Sequence, residues 1–142
     1  MQKRAGSLVV NRNKELLLIF RKGKWDLPKG RVEKHEKKRH GALRETAEET
    51  GLELKKLSLQ YPLKKTAHLL KQKKIKTKWY LVNYKGYKKT MKPLQEEGIE
   101  QCIWVKQESL VFYLPYLRTY AKEVLKYYIE YSQNPLRIHF TA

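Results

Sequence analysis

Residues 43–50 read Leu43-Arg44-Glu45-Thr46-Ala47-Glu48-Glu49-Thr50. On an α-helix Glu45 stands one turn from both Glu48 and Glu49, so three carboxylates gather on one face. Leu43, Thr46, Ala47 and Thr50 fall at i, i+3, i+4 and i+7 and form a second, small and weakly apolar face. Like charges at one-turn spacing destabilise an isolated helix by roughly 0.2–0.5 kcal/mol per pair. A cation held between them offsets that cost. Hard divalent ions, magnesium above all, take oxygen ligands from carboxylates and from substrate phosphates together. Arg44, one turn before Glu48, is placed to fix a carboxylate's orientation. A solvated helix face can have the same composition, but here Gly30 and Glu36 stand upstream at set distances and Gly51 and Leu52 downstream.

The elements around this helix follow from the pattern of apolar residues and turn formers. Ser7–Val10 and Leu16–Phe20 read as strands joined by a turn at Asn11-Arg12-Asn13-Lys14. Trp25-Asp26-Leu27-Pro28-Lys29-Gly30 reads as a loop held by proline and glycine. The helix is predicted over 37–50, with Gly51 as its C-terminal stop. Strands are predicted at Leu54–Leu63, Thr66–Leu70 and Thr77–Tyr84. In a further strand at Gln101–Val105, Cys102 and Trp104 face one way and Ile103 and Val105 the other. Leu117, Tyr120, Ala121, Val124, Leu125 and Tyr128 recur at spacings of three and four, which predicts a terminal helix over 115–132.

The 142 residues amount to one domain with no repeat, linker or membrane-length apolar run. The basic start of the chain lacks the apolar stretch of a signal peptide, and the single Cys102 rules out an internal disulfide or a multi-cysteine metal site. Cytoplasm is the expected compartment. The formal net charge is +18, mostly from lysine. Such an excess attracts polyanions, nucleic acid and polyphosphates alike, and by itself does not separate a binder from an enzyme with an anionic substrate.

Gly30, Glu36, Arg44-Glu45, Glu48-Glu49 and Gly51-Leu52 together resemble the Nudix box, G-x5-E-x7-R-E-U-x-E-E-x-G-U, over residues 30–52. Thr46 stands where the family has a bulky aliphatic, which implies a somewhat weaker core contact. The resemblance implies an α/β (α+β) fold, an α/β/α sandwich with a central mixed sheet, as a single domain over 1–142. It implies a pyrophosphohydrolase using Mg2+ or Mn2+. Glu48 and Glu49 would be the primary metal ligands, Glu45 a ligand or the base, Glu36 a further contact and Arg44 the orienting arginine. The backbone near Lys29 and Gly30 would join the site, and Arg31, Trp25 and Lys76 complete the expected substrate contacts. Glu45 is the first choice of general base, Glu97 the second and Glu100 the third. An exposed acidic loop is the competing reading of Glu97 and Glu100.

The substrate is less legible. Lysines crowd at 64–65, 71–78 and 85–92, where they would either hold a phosphate chain or act as solvated strand-edge residues. The stretch from Thr66 to Leu81 resembles the matching hairpin of bacterial diadenosine-polyphosphate hydrolases, with His68 present but no aromatic at Leu69 or Leu70. Three partners are therefore in view: a small nucleoside-diphosphate-linked or dinucleoside polyphosphate, an RNA 5′ end, or nucleic acid on a non-catalytic module of the same fold. The intact acids weigh against the last. No membrane partner is expected. The tyrosine-rich tail is read as packing on the sheet, or as a homodimer surface.

Overall fold

A computed structural model describes residues 2–87 and 91–132. Lys88 and Lys89 of the 85–92 lysine cluster lie outside those residues. The chain runs β1 (Gln2–Val10), β2 (Glu15–Arg21), β3 (Lys24–Asp26), β4 (Lys29–Arg31), α1 (Lys38–Thr50), β5 (Leu57–Leu70), β6 (Lys73–Tyr84), β7 (Ile99–Lys106) and α2 (Thr119–Tyr127), with short 3-10 turns between. One mixed sheet has the order β3-β2-β1-β6-β5, with β4 paired to β1 and β7 to β2. The β1–β6 pair is parallel over Gln2–Val10, and the other pairs are antiparallel.

Alternation along β1 divides the two layers. Ala5 and Val9 face α1 with Leu17, Ala42, Tyr80 and Val82. Leu8 faces α2 with Leu16, Leu18, Trp79, Val124 and Leu125. Each of the fully buried aliphatics contributes about 1.5–3 kcal/mol. The pattern expected of β7 is present: Cys102 and Trp104 pack toward α1, Ile103 and Val105 toward α2.

Three expectations need correction. The loop at 25–30 is two short strands. Lys22 and Gly23, at φ 50° and 76°, make a tight turn that folds β3 back onto β2, the geometry a two-residue hairpin needs. The strands at 54–63 and 66–70 are one strand that starts at Leu57, residues 54–56 forming a 3-10 turn. Pro62 does not end it, because β5 is an edge strand and its register shifts at Leu59/Tyr61 and Pro62/Lys65 absorb the proline. The terminal helix is shorter than 115–132. Leu117 leaves helical geometry to bridge Trp25, and the Arg118 N–H donates to the Trp25 carbonyl before α2 begins. No helix among the described residues is long and apolar enough to cross a membrane.

Candidate active site

α1 begins after Lys37, which caps it with no side chain, and ends at Gly51. That residue sits at φ 77° and donates its N–H to Ala47. Only glycine takes this left-handed turn at little cost. Thr46 explains how the helix lies so close to the sheet. It is fully buried, and its hydroxyl donates to the Ala42 carbonyl at 2.7 Å and lies 2.8 Å from the Ser7 hydroxyl of β1. The family's aliphatic contact is replaced by a hydroxyl pair between helix and strand. The contact expected to be weak is a satisfied polar one.

The same docking brings Glu45 against β4. A Cβ on Gly30 would overlap the Glu45 carboxylate, so the glycine leaves the space that the side chain fills. Glu45 is half-buried, and burial pushes its carboxyl above the ordinary 4.5; Arg44 opposes this, while Glu48 and Glu97 add to it. The last influence places Glu97, in the 3-10 turn 95–97, within electrostatic reach of Glu45. The loop is fastened there by two bonds to the end of α1, Lys92 N–H to Thr50 O at 2.8 Å and Leu94 N–H to Glu49 O at 3.1 Å. Glu100 stands exposed on β7.

Arg44 is the hub. Its Nε and Nη2 grip Glu36 at 2.7 and 3.0 Å, its Nη1 lies 3.0 Å from Glu45 and 3.2 Å from Glu48, and Nη2 also donates to the Arg31 carbonyl at 3.0 Å. Hydrogen bonds to so many acceptors raise its pKa, and the bond to Arg44 holds Glu36 below the usual carboxylate range. Glu36 Oε1 also accepts the Glu33 N–H at 2.9 Å. Both oxygens of Glu36, expected as a further metal contact, are thus engaged by protein donors.

Glu49 turns inward. Its side chain is 2% exposed; Oε1 accepts the Lys29 N–H at 3.0 Å and Oε2 lies 3.7 Å from Arg21. Burial pushes its carboxyl up to about 8 against the pull of Arg21 and Lys29. Arg21 divides its charge, because it also holds Asp26 at 3.2 Å. Asp26 is wholly buried and is met by Lys29 Nζ at 3.5 Å and by the Tyr120 hydroxyl, which donates at 2.6 Å. Burial, then the Asp26 charge, raise the Tyr120 pKa, and burial lowers that of Lys29. Arg21, Asp26 and Tyr120 were not singled out by their spacing. The signal was an acid and a base closing two apolar strands, which reads equally well as turn chemistry.

The expected substrate contacts separate. Gly30 and Arg31 lie beside the carboxylates on β4. Lys29 offers its backbone to Glu49, but its ammonium is buried over the Tyr120 ring, 5.2 Å from the centroid. Trp25 packs its ring on Phe20 at 4.8 Å and edge-on to Tyr113 at 5.3 Å, a use in the core rather than in a cleft. Lys76 sits on β6, paired with Lys3 and Ala67, in a separate basic groove. Among the described residues no three His, Cys, Asp or Glu side chains already converge as a closed metal cage. Arg44 is the cation that spans Glu45 and Glu48.

A model of the NUDIX domain matches residues 1–128. The fold is that of an Ap4A hydrolase from C. elegans in a binary complex (TM-score 0.75, 19% identity, covering 91% of this chain and 96% of that one). It is also that of a MutT protein from Methanosarcina mazei Go1 (TM-score 0.74, 21% identity, 94% and 96%). A bifunctional NMN adenylyltransferase/ADP ribose pyrophosphatase from Francisella tularensis, complexed with AMP and a Mn ion, matches with TM-score 0.76 and 17% identity over 91% of this chain and 41% of its own. With the domain match running through the whole carboxylate helix and both layers of the sheet, the chain belongs to the Nudix hydrolase family of pyrophosphohydrolases.

Proposed function

We propose that this chain hydrolyses a phosphoric anhydride in a nucleoside-diphosphate-linked or dinucleoside polyphosphate substrate, with Mg2+ or Mn2+ as cofactor. The observation that supports it most is the position of Glu45. It is half-buried against Gly30, raised by burial and by the charges of Glu48 and Glu97, and steadied by Arg44.

The donor set fits a hard divalent ion. Carboxylate oxygens of Glu45 and Glu48, the Glu49 group beneath them and the backbone near Gly30 are all oxygen donors; Arg44 spans Glu45 and Glu48, and Arg21 meets Glu49 from inside. When bound, the ion would neutralise phosphate charge and make a water easier to deprotonate. The protein's own part is to place and to accept. Glu45 takes the proton from the attacking water, its carboxyl made more basic by burial, with Glu97 as the second choice. Glu36 and Arg44 keep Glu45 and Glu48 in register. Arg31, exposed on β4 beside them, meets the substrate's phosphates.

The test is product release from a panel comprising diadenosine tetraphosphate, nucleotide sugars, ADP-ribose, oxidised dGTP, diphosphoinositols and 5′-triphosphate RNA, with the Glu48→Gln variant alongside. Metal-dependent turnover lost in the variant supports the proposal, and the best substrate names its class. No turnover on any member, with metal present, overturns it.

A further inference from the structure

Between Glu53 and Glu96 the sequence carries no carboxylate. The β5–β6 hairpin built from this stretch has a lysine row on its α1 face. Lys65 pairs with Lys78, Lys76 pairs with Ala67 and with Lys3 of β1, and Lys74 continues the row toward the tip. Residues i and i+2 on one strand face stand about 6.6 Å apart, so Lys74, Lys76 and Lys78 put charges at regular intervals along about 13 Å. The inner end is a concave groove of about 360 Å3, lined also by Lys38, the first residue of α1. Lys78 is pushed below its ordinary pKa by burial and by Lys65 and Lys38. These ammonium groups are therefore held together against their own repulsion. The first turn of α1 adds no acid to relieve them.

We propose that this lysine row is a binding track for the phosphodiester backbone of a nucleic-acid strand, separate from the carboxylate site. A strand carries one charge per nucleotide at regular spacing, which is what a linear row of ammonium groups matches. A bilayer is flat and does not reach the floor of a groove that Lys3 and Lys38 help to line. A compact polyphosphate is satisfied by fewer cations than the row supplies. Binding on the track does not depend on catalysis at Glu45.

Fluorescence anisotropy with a 12-nucleotide single-stranded oligouridylate, titrated at several salt concentrations, tests this. The Lys65→Glu/Lys76→Glu/Lys78→Glu protein is compared with Lys14→Glu/Lys106→Glu/Lys122→Glu, which changes the net charge equally elsewhere. The track variant should bind at least about tenfold more weakly than the control. Its log–log salt slope should be shallower by about 2, as expected for three lost phosphate contacts on a single strand. Equal loss in both variants would show a diffuse charge effect and overturn the proposal. So would normal oligonucleotide binding by the track variant, including the case where it loses binding only to phosphatidylserine vesicles. If the glutamate variant does not fold, Lys65→Gln/Lys76→Gln/Lys78→Gln must show the same loss relative to a matched glutamine control.

Discussion

Glu49 Oε1 accepts the backbone N–H of Lys29 at 3.0 Å, which ties the end of α1 to β4 from inside the protein. The bond needs only an acceptor. The charge on Glu49 is therefore not what holds the two elements together, and the buried carboxyl is free to change protonation with its surroundings.

A pH dependence of stability follows from this. In the unfolded chain the carboxyl titrates near its ordinary 4.5, and in the folded protein at about 8. Between those values the folded state holds the proton more tightly, so metal-free stability is fully present below about 4.5 and falls as pH rises toward about 8. Glu49→Gln keeps the acceptor and removes the titration. The metal-free variant should match the parent at pH 5 and melt higher than it at pH 8.5. A parallel pair of curves across that range would refute the assignment.

Metal binding should carry the same signature. If the ion meets Glu49, it displaces the proton held there. Calorimetry of Mg2+ binding at pH 7, repeated in buffers of different ionisation enthalpy, should show close to one proton released. The release should vanish in Glu49→Gln.

Arg44 is the residue least replaceable by its nearest chemical relative. Lysine keeps the charge but not the fork that spans Glu36, Glu45 and Glu48. Arg44→Lys should lower kcat on the best substrate by about 10- to 100-fold, the range typical when a group orienting metal ligands is lost. Its Tm should shift little, since the cluster is partly solvent-exposed. A variant with normal kcat would remove Arg44 from the positioning machinery.

The helix and its acids were legible because they are local: a 3.6-residue period and a run of fixed spacings lie within 23 consecutive residues, 30–52. What escaped is non-local. Tyr120 and Asp26 are 94 residues apart, and only the docking of α2 brings the phenol to the carboxylate. The β2–β3 hairpin escaped for a different reason. Its turn uses Lys22, a non-glycine residue at positive φ, where composition alone does not announce a two-residue turn. Lys29 was legible as part of the site, but not the division of its labour, backbone toward Glu49 and ammonium toward Asp26.

The hydroxyl pair of Ser7 and Thr46 makes the last prediction. At this position the box resemblance favours an aliphatic, so Thr46→Val looks like a gain of apolar burial. The structure argues the reverse. Both residues are fully buried, the hydroxyls lie 2.8 Å apart, and Ser7 Oγ is only 3.3 Å from the Ala42 carbonyl. Removing the Thr46 hydroxyl leaves Ser7 with one long bond, and an under-satisfied buried hydroxyl costs about 1–3 kcal/mol. Removing both hydroxyls takes away the unmet demand as well as the bond. Ser7→Ala/Thr46→Val should therefore be more stable than the sum of the two single variants implies, with a coupling of about 0.5–3 kcal/mol by denaturant unfolding. Additive single effects would mean that the two hydroxyls do not depend on each other. The family's aliphatic would then be tolerated at position 46 without a change on β1.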